Sequence, residues 1–144
     1  SMPRAMLYAD IIAGFPGETE EQFQQTALLI EQIGFLHVHI FPYSRRRGTV
    51  AAEMPGQITE NEKHRRVSVL NEIQKRAAKS ILASEAAAAR KYPVLFEHFA
   101  EGFNIGHAPN FLEIFVPGEA DLTGCICDVH VERYGDGRLY GVLI

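Results

Sequence analysis

Two short loops hold the residues whose types and spacing could do chemistry. Gly14-Phe15-Pro16-Gly17 follows the apolar run Leu7–Ala13, and Phe41-Pro42-Tyr43-Ser44 closes the run Phe35–Phe41. Glycine lets a backbone approach a ligand closely, and a helix beginning just after such a loop offers free N–H donors. The first loop lacks the Lys-Ser/Thr pair of a phosphate-binding Walker loop, and the same residues would also make an ordinary strand-to-helix turn. Arg45-Arg46-Arg47 follows the second loop, and Lys63, His64, Arg65 and Arg66 stand a short way downstream. Together these seven residues could present one basic surface to phosphates, or remain a solvated charged loop.

Other candidates are weaker. His37 and His39 alternate on a strand and so share a face, but no further metal ligand falls beside them. Cys125 and Cys127 likewise share a strand face, and no second cysteine pair completes a zinc site, so they read as structural thiols. Glu20 and Glu21 suit a helix N-terminus better than paired acid–base catalysis.

The elements that must position the two loops follow from pattern. Leu7–Ala13, apolar except for Asp10, fits a buried parallel strand. Thr19-Glu20-Glu21-Gln22 is a capping box, and Phe23, Ala27, Ile30 and Ile33 then recur at helical spacing until Gly34 stops the helix. Phe35–Phe41 returns as a strand, which makes a βαβ unit and forces parallel pairing. Residues 42–58 form a long loop, and Thr59-Glu60-Asn61-Glu62 is a second capping box. It opens a helix predicted to run to about Lys91, with Val67, Leu70, Ile73, Ala77, Ile81 and Ala88 on one face and Pro93 as its stop. Beyond it the period changes. Short strands are expected at 94–99, 111–116, 124–132 and 138–143, with a hairpin turn at Gly135-Asp136-Gly137.

Composition bounds the reading. A chain of 144 residues holds one ordinary domain or two small ones, and no apolar run approaches the roughly 18–20 residues that span a bilayer. Ser1-Met2 reads as a cloning scar, no charged-then-apolar leader follows it, and the two cysteines form no secreted framework, so the expected compartment is the cytosol. The net charge of −4 is divided: residues 1–92 carry twelve Lys/Arg against ten Asp/Glu, and residues 93–144 carry two against eight. Phosphate attraction is therefore expected mainly from the first part.

Longer matches are more specific. Ala9-Asp10-Ile11-Ile12-Ala13-Gly14-Phe15-Pro16-Gly17-Glu18-Thr19-Glu20-Glu21-Gln22-Phe23 resembles the fifth-strand motif of the radical S-adenosylmethionine methylthiotransferases. Phe41-Pro42-Tyr43-Ser44, Arg46, Gly48-Thr49, Ala51-Ala52 and Met54-Pro55 with Gln57 resemble the sixth-strand motif and its loop. Gly106-His107-Ala108-Pro109-Asn110-Phe111 resembles the opening of that family's TRAM domain, a small RNA-binding barrel.

The resemblance implies an α/β plus β architecture. Residues 1–92 would be the C-terminal part of a radical S-adenosylmethionine (β/α) barrel with its closing long helix, and 93–144 a small antiparallel TRAM-like β-barrel. It implies S-adenosylmethionine held by Ile12, Gly14, Phe15, Pro16, Gly17, Phe41, Pro42, Tyr43 and Ser44, and RNA met by Arg45, Arg46, Arg47, Lys63, Arg65 and Arg66. The parent protein would use two 4Fe-4S clusters and methylthiolate N6-threonylcarbamoyladenosine beside the tRNA anticodon. That branch is indicated by the Phe41-Pro42-Tyr43-Ser44 form. The alternatives are the isopentenyladenosine or ribosomal-protein branch, or a non-catalytic RNA-binding or scaffold piece. The cluster cysteines would lie upstream of residue 1, so this chain is expected to bind no cofactor and to be silent alone. Bare strand edges would pair copies of the chain through residues 7–41.

The match has departures. Arg45 and Arg47 stand where the family commonly has proline, Ala108 replaces a usual Ser/Thr, and the TRAM-like segment is acidic, which argues against strong RNA binding by that segment alone.

Overall fold

In a computed structural model, residues 5–144 are described; Ser1-Met2, with residues 3 and 4, lies outside the described residues. The chain divides into two compact units, 7–78 and 79–144.

The first unit is built on strand β1 (Tyr8–Ala13), helix α1 (Glu20–Ile33) and strand β2 (His37–Pro42). The strands pair in parallel, from Tyr8 opposite His37 to Ala13 opposite Pro42. The capping box expected at Thr19 is complete: its hydroxyl accepts the Gln22 N–H, and the Gln22 side chain accepts the Thr19 N–H. Gly34 ends the helix in the left-handed conformation, where a Cβ would be strained.

Helical spacing puts Phe23, Ala27 and Ile30 on one face of α1, and they bury against Ala13, Val38 and Leu70. Removing each large side chain of this set from water stabilises the unit by about 1.5–3 kcal/mol. Alternation along the strands turns Ala9, Ile11 and Ile40 toward this core. It leaves Tyr8, Asp10, Ile12, His37, His39 and Phe41 on the opposite, exposed face.

The segment 42–58, expected as a loop, carries the short helix α2 (Val50–Glu53), capped by the Thr49 hydroxyl, which accepts the Ala52 N–H. Helix α3 (Glu60–Ala87) follows. The second capping box forms only in part. Thr59 accepts the Glu62 N–H, but the Glu62 carboxylate turns to Arg65 and Arg66. Ordinary helix capping lost that side chain to two cations one turn away.

Helix α3 stops at Ala87 rather than near Lys91, with Ala89 in the left-handed region. Pro93 is therefore not its terminator; it lies inside strand β3 (Lys91–Ala100). The Phe96 N–H donates to Cys125 on strand β6 (Ile126–Gly135) side of β3. By alternation the nitrogen of Pro93 faces the other edge, where pairing begins only at Leu95 opposite His107, so its missing N–H costs no ladder bond.

The second unit is a closed barrel completed by β4 (Phe103–His107), β5 (Glu113–Pro117) and β7 (Arg138–Leu143), in the order β3-β4-β5-β7-β6. Its interior is filled by Val94, Phe96, Ile114, Val116, Val129, Val131 and Leu139. Strand β4 (Phe103–His107) was not expected, because Gly106 punctuates it like a loop residue. Gly106 is there for packing: a Cβ would lie 2.1 Å from the Leu95 carbonyl oxygen. The barrel is not wholly antiparallel as expected. Closure joins β5 and β7 in parallel at Ile114–Leu139 and Phe115–Tyr140. The hairpin between β6 and β7 forms as expected, with Asp136 and Gly137 both at positive φ, the requirement of a two-residue primed turn.

Candidate ligand site and basic loop

The first unit brings its two loops together at the C-terminal ends of β1 and β2, as parallel pairing requires. The Tyr43 N–H donates to the Ala13 carbonyl at 2.8 Å, and the Phe15 and Tyr43 rings meet edge to face at 5.3 Å. The Gly17 N–H donates to Gly56 at 2.9 Å, which ties the first loop to the end of the second. Gly14 has φ of +74°, and a Cβ there would lie 2.5 Å from Lys63 Cγ, so both conformation and packing demand glycine.

Ile12, Phe41, Pro42, Tyr43 and Ser44 line one concavity of about 470 Å³, with Arg46, Thr49 and Ala51 completing its wall. Phe15, Pro16 and Gly17 instead line a second depression of about 700 Å³ beside Glu18, Gln22 and Leu29 on α1. The nine positions expected to hold one cofactor thus divide between two hollows, and Gly14 lies packed beneath Lys63. The first hollow has the chemistry of a ligand site. Its floor is apolar, Tyr43 is buried, and the Tyr43 hydroxyl has no hydrogen-bond partner among the described residues. An orphaned buried hydroxyl is a group that a ligand could satisfy.

Electrostatics separate the basic residues expected to meet RNA. Lys63 is buried; its ammonium pairs with Glu60 at 2.7 Å and lies 5.2 Å from the Tyr43 ring centroid. Arg66 is buried too, donating to the Glu18 carboxylate at 2.6 Å, to the Glu18 carbonyl at 2.9 Å and to Glu62 at 2.8 Å. Arg65 pairs with Glu62 and Glu20, each at 2.7 Å. These hydrogen bonds from Arg65 and then Arg66 hold the Glu62 carboxyl down to about 2. Arg65 and Arg66 therefore share one ion-pair network through Glu20 and Glu62, and Lys63 pairs separately with Glu60, so the three do not form a free basic surface. Arg45, Arg46 and Arg47 stay exposed, and only Arg45 is tied back, donating from Nε to the Ala52 carbonyl at 2.8 Å.

A signal for this was present in the sequence. Stepping back one turn along the α3 stripe from Leu70 and Val67 lands on Arg66 and Lys63, so these charges had to face the core. Glu18 accepts from Arg66 at 2.6 Å and from the Gly14 N–H at 2.7 Å, a role that its place at the helix N-terminus does not signal.

Cys125 and Cys127 are free thiols, and no three potential ligands converge on a metal-sized site among the described residues. No helix among the described residues is long and apolar enough to cross a membrane.

No protein-family model matches the chain. Curated proteins do. The chain is 36% identical over 146 residues to a tRNA-2-methylthio-N(6)-dimethylallyladenosine synthase of Symbiobacterium thermophilum, an alignment covering 99% of the chain and 31% of that protein. It is 37% identical to the enzyme of the same name from Jannaschia, again over 99% of the chain and 31% of the relative. It is 33% identical to the threonylcarbamoyladenosine tRNA methylthiotransferase MtaB of Bacillus subtilis, over 94% of the chain and 31% of the relative. The chain thus spans about a third of the length of the curated relatives it matches.

Proposed function

We propose, on the premise that this chain is a homologue of the tRNA methylthiotransferases along nearly its whole length, that it is the C-terminal part of such an enzyme. In this reading residues 1–92 complete a radical S-adenosylmethionine barrel and 93–144 form its TRAM-like domain, in a cytoplasmic protein that acts on tRNA. The observation that carries the reading is the hollow at the C-terminal ends of β1 and β2, lined by Ile12 from the first motif and by Phe41, Tyr43 and Arg46 from the second.

The residues of that hollow fit a ligand with a planar apolar body and a charged end. Ile12 and Phe41, both largely exposed, would cover an apolar ring, and the Tyr43 hydroxyl would gain its missing partner. Arg46 would face an anionic group at the rim. S-adenosylmethionine, when bound in the parent enzyme, supplies the methyl group and the one-electron chemistry. Lys63, Arg66 and Glu18 position the loops, and the exposed Arg46 and Arg47 are the proposed phosphate contacts. The 4Fe-4S clusters would be held by other parts of the parent enzyme, and this chain alone would be silent.

The Phe41-Pro42-Tyr43-Ser44 form supports N6-threonylcarbamoyladenosine as the nucleoside modified. The high identity to dimethylallyladenosine synthases favours a second reading, the isopentenyladenosine branch. Mass spectrometry of nucleosides from a strain lacking the parent gene separates them. Loss of 2-methylthio-N6-threonylcarbamoyladenosine supports the first reading, and loss of the isopentenyl counterpart supports the second. Retention of every methylthio nucleoside overturns both.

A further inference from the structure

Strand β3 turns Pro93, Leu95 and Glu97 outward, alternating with Val94 and Phe96 in the barrel interior. The ladders on either side choose their neighbours. Pro93 stands opposite Asp128 and Leu95 opposite Ile126 on β6. Leu95 also stands opposite His107 on β4, which in turn stands opposite Glu113 on β5. Residues paired across a ladder share a face, so the outer wall carries one row, Ile126–Leu95–His107–Glu113. Pro93, Leu95, Pro109, Phe111 and Ile126 form the apolar wall of a hollow of about 510 Å³ along this row. A bulge between Phe96 and His98 lies at Glu97, whose carboxylate meets His107 Nδ1 on the same hollow. No Lys or Arg is among the described residues that line it. Arg133 and Arg138, the two cations of 93–144, are stacked instead on Tyr140 and Phe115, 3.7 and 4.7 Å from the ring centroids.

The loop after β4 is built to present an aromatic ring here. The Ala108 N–H donates to the Leu112 carbonyl at 3.0 Å, and the Phe111 N–H to the Ala108 carbonyl at 2.8 Å. Ala108 and Leu112 are buried anchors, and between them Phe111 is held at φ +63° with 69% of its surface exposed. A bulky residue in the left-handed region is strained, and burial of the ring does not offset that strain. Ile126, beside it on the hollow, is 70% exposed.

We propose that this hollow docks a short basic protein segment bearing large apolar side chains. The apolar wall takes the side chains, and charge complementarity selects what flanks them. Glu97, Glu113 and Asp128 border the apolar row, so they attract Lys or Arg beside an apolar anchor and repel phosphate. The barrel is closed, so the segment cannot add as a strand and must dock through side chains. This docking does not depend on the tRNA reading.

The test uses the full chain and a fluorescein-labelled octapeptide of alternating lysine and leucine, followed by anisotropy at about 0.15 M salt. Lysine–serine and glutamate–leucine octapeptides should each bind about tenfold more weakly or worse. Leu95→Lys should cost the lysine–leucine peptide about tenfold, since a cation replaces apolar surface. Glu97→Gln/Glu113→Gln should weaken binding and flatten its salt dependence. Phe111→Gly separates docking from folding. Glycine takes the left-handed conformation freely, so the thermal midpoint should hold or rise while binding falls about tenfold. Amide shifts in the wild-type chain on adding the peptide should cluster at 93–97, 107–111 and 126. Equal binding of the glutamate–leucine peptide, unchanged binding by Leu95→Lys, or shifts elsewhere only would overturn the proposal. A lowered midpoint with unchanged binding in Phe111→Gly would make that ring structural and overturn it too. If an oligouridylate moves these amides and the peptide does not, the occupant is RNA. If light scattering finds a dimer that Leu95→Lys dissolves, the occupant is a second copy. Either result overturns the proposal and leaves the nucleoside analysis to decide the tRNA reading.

Discussion

Glu18 and Arg66, forty-eight positions apart in sequence, meet at 2.6 Å, and the same carboxylate oxygen accepts the Gly14 N–H at 2.7 Å. One side chain thus locks the glycine loop to the long helix. Both partners are shielded from water, so removing one strands the other. Arg66→Met should destabilise the chain by about 3 kcal/mol, while Glu18→Gln/Arg66→Met should cost less than the sum of the single changes. Urea unfolding of the four proteins checks this. Additive effects would show that the pair does not hold the loop.

Acid should loosen the same network over a definite window. Glu62 titrates at about 2 when folded, against an ordinary value of 4.5, because Arg65 and Arg66 bind its ionised form. A depressed carboxyl contributes stability that is complete above the unfolded value and is lost as pH falls through the folded one. The thermal midpoint should therefore drop between about pH 4.5 and 2, and Glu62→Gln should make that limb shallower. An identical limb in the variant would assign the acid transition to other carboxylates.

Substituting Gly14 should be costly for two separable reasons. Gly14→Ala forces a left-handed alanine and presses its Cβ onto Lys63, so a loss of more than 1 kcal/mol is expected. Shortening the neighbour in Gly14→Ala/Lys63→Ala relieves only the clash. The double variant should therefore be more stable than additivity predicts, yet still less stable than Lys63→Ala. Full recovery would mean that backbone conformation contributes nothing.

The exposed face of Tyr8, Ile12 and Phe41, with Leu28, Leu29 and Ile33 exposed on α1, supports self-association through residues 7–41. Light scattering should find a dimer or larger species at high concentration, reduced by Leu29→Lys. A monomer at every concentration would contradict this.

Much of the first unit was legible because its signals are local. Thr19 with Gln22, the spacing of Phe23, Ala27 and Ile30, and Gly34 each fix one turn by themselves. The hairpin at Asp136-Gly137 was legible for the same reason. What escaped depends on distant partners. Strand β4 carries Gly106, which is explained only by Leu95 on the neighbouring strand β3, and the parallel β5–β7 seam exists only once the barrel closes. The charge run at 63–66 looked like one surface. The helix period divides it, burying Lys63 and Arg66, the latter against Glu18 of the first loop, while His64 stays outside. Net charge likewise concealed the two stacked arginines of the barrel.

The central claim, that the hollow of Ile12, Phe41, Tyr43 and Arg46 serves tRNA methylthiolation, is tested most directly inside the parent enzyme. A strain lacking the parent gene would be complemented with full-length alleles, wild type or carrying Phe41→Ala with Arg46→Gln, and its tRNA nucleosides quantified by mass spectrometry. The account predicts that the methylthio nucleoside falls at least tenfold while its unmethylthiolated precursor accumulates and the protein level is unchanged. Full methylthiolation by the double variant would contradict it.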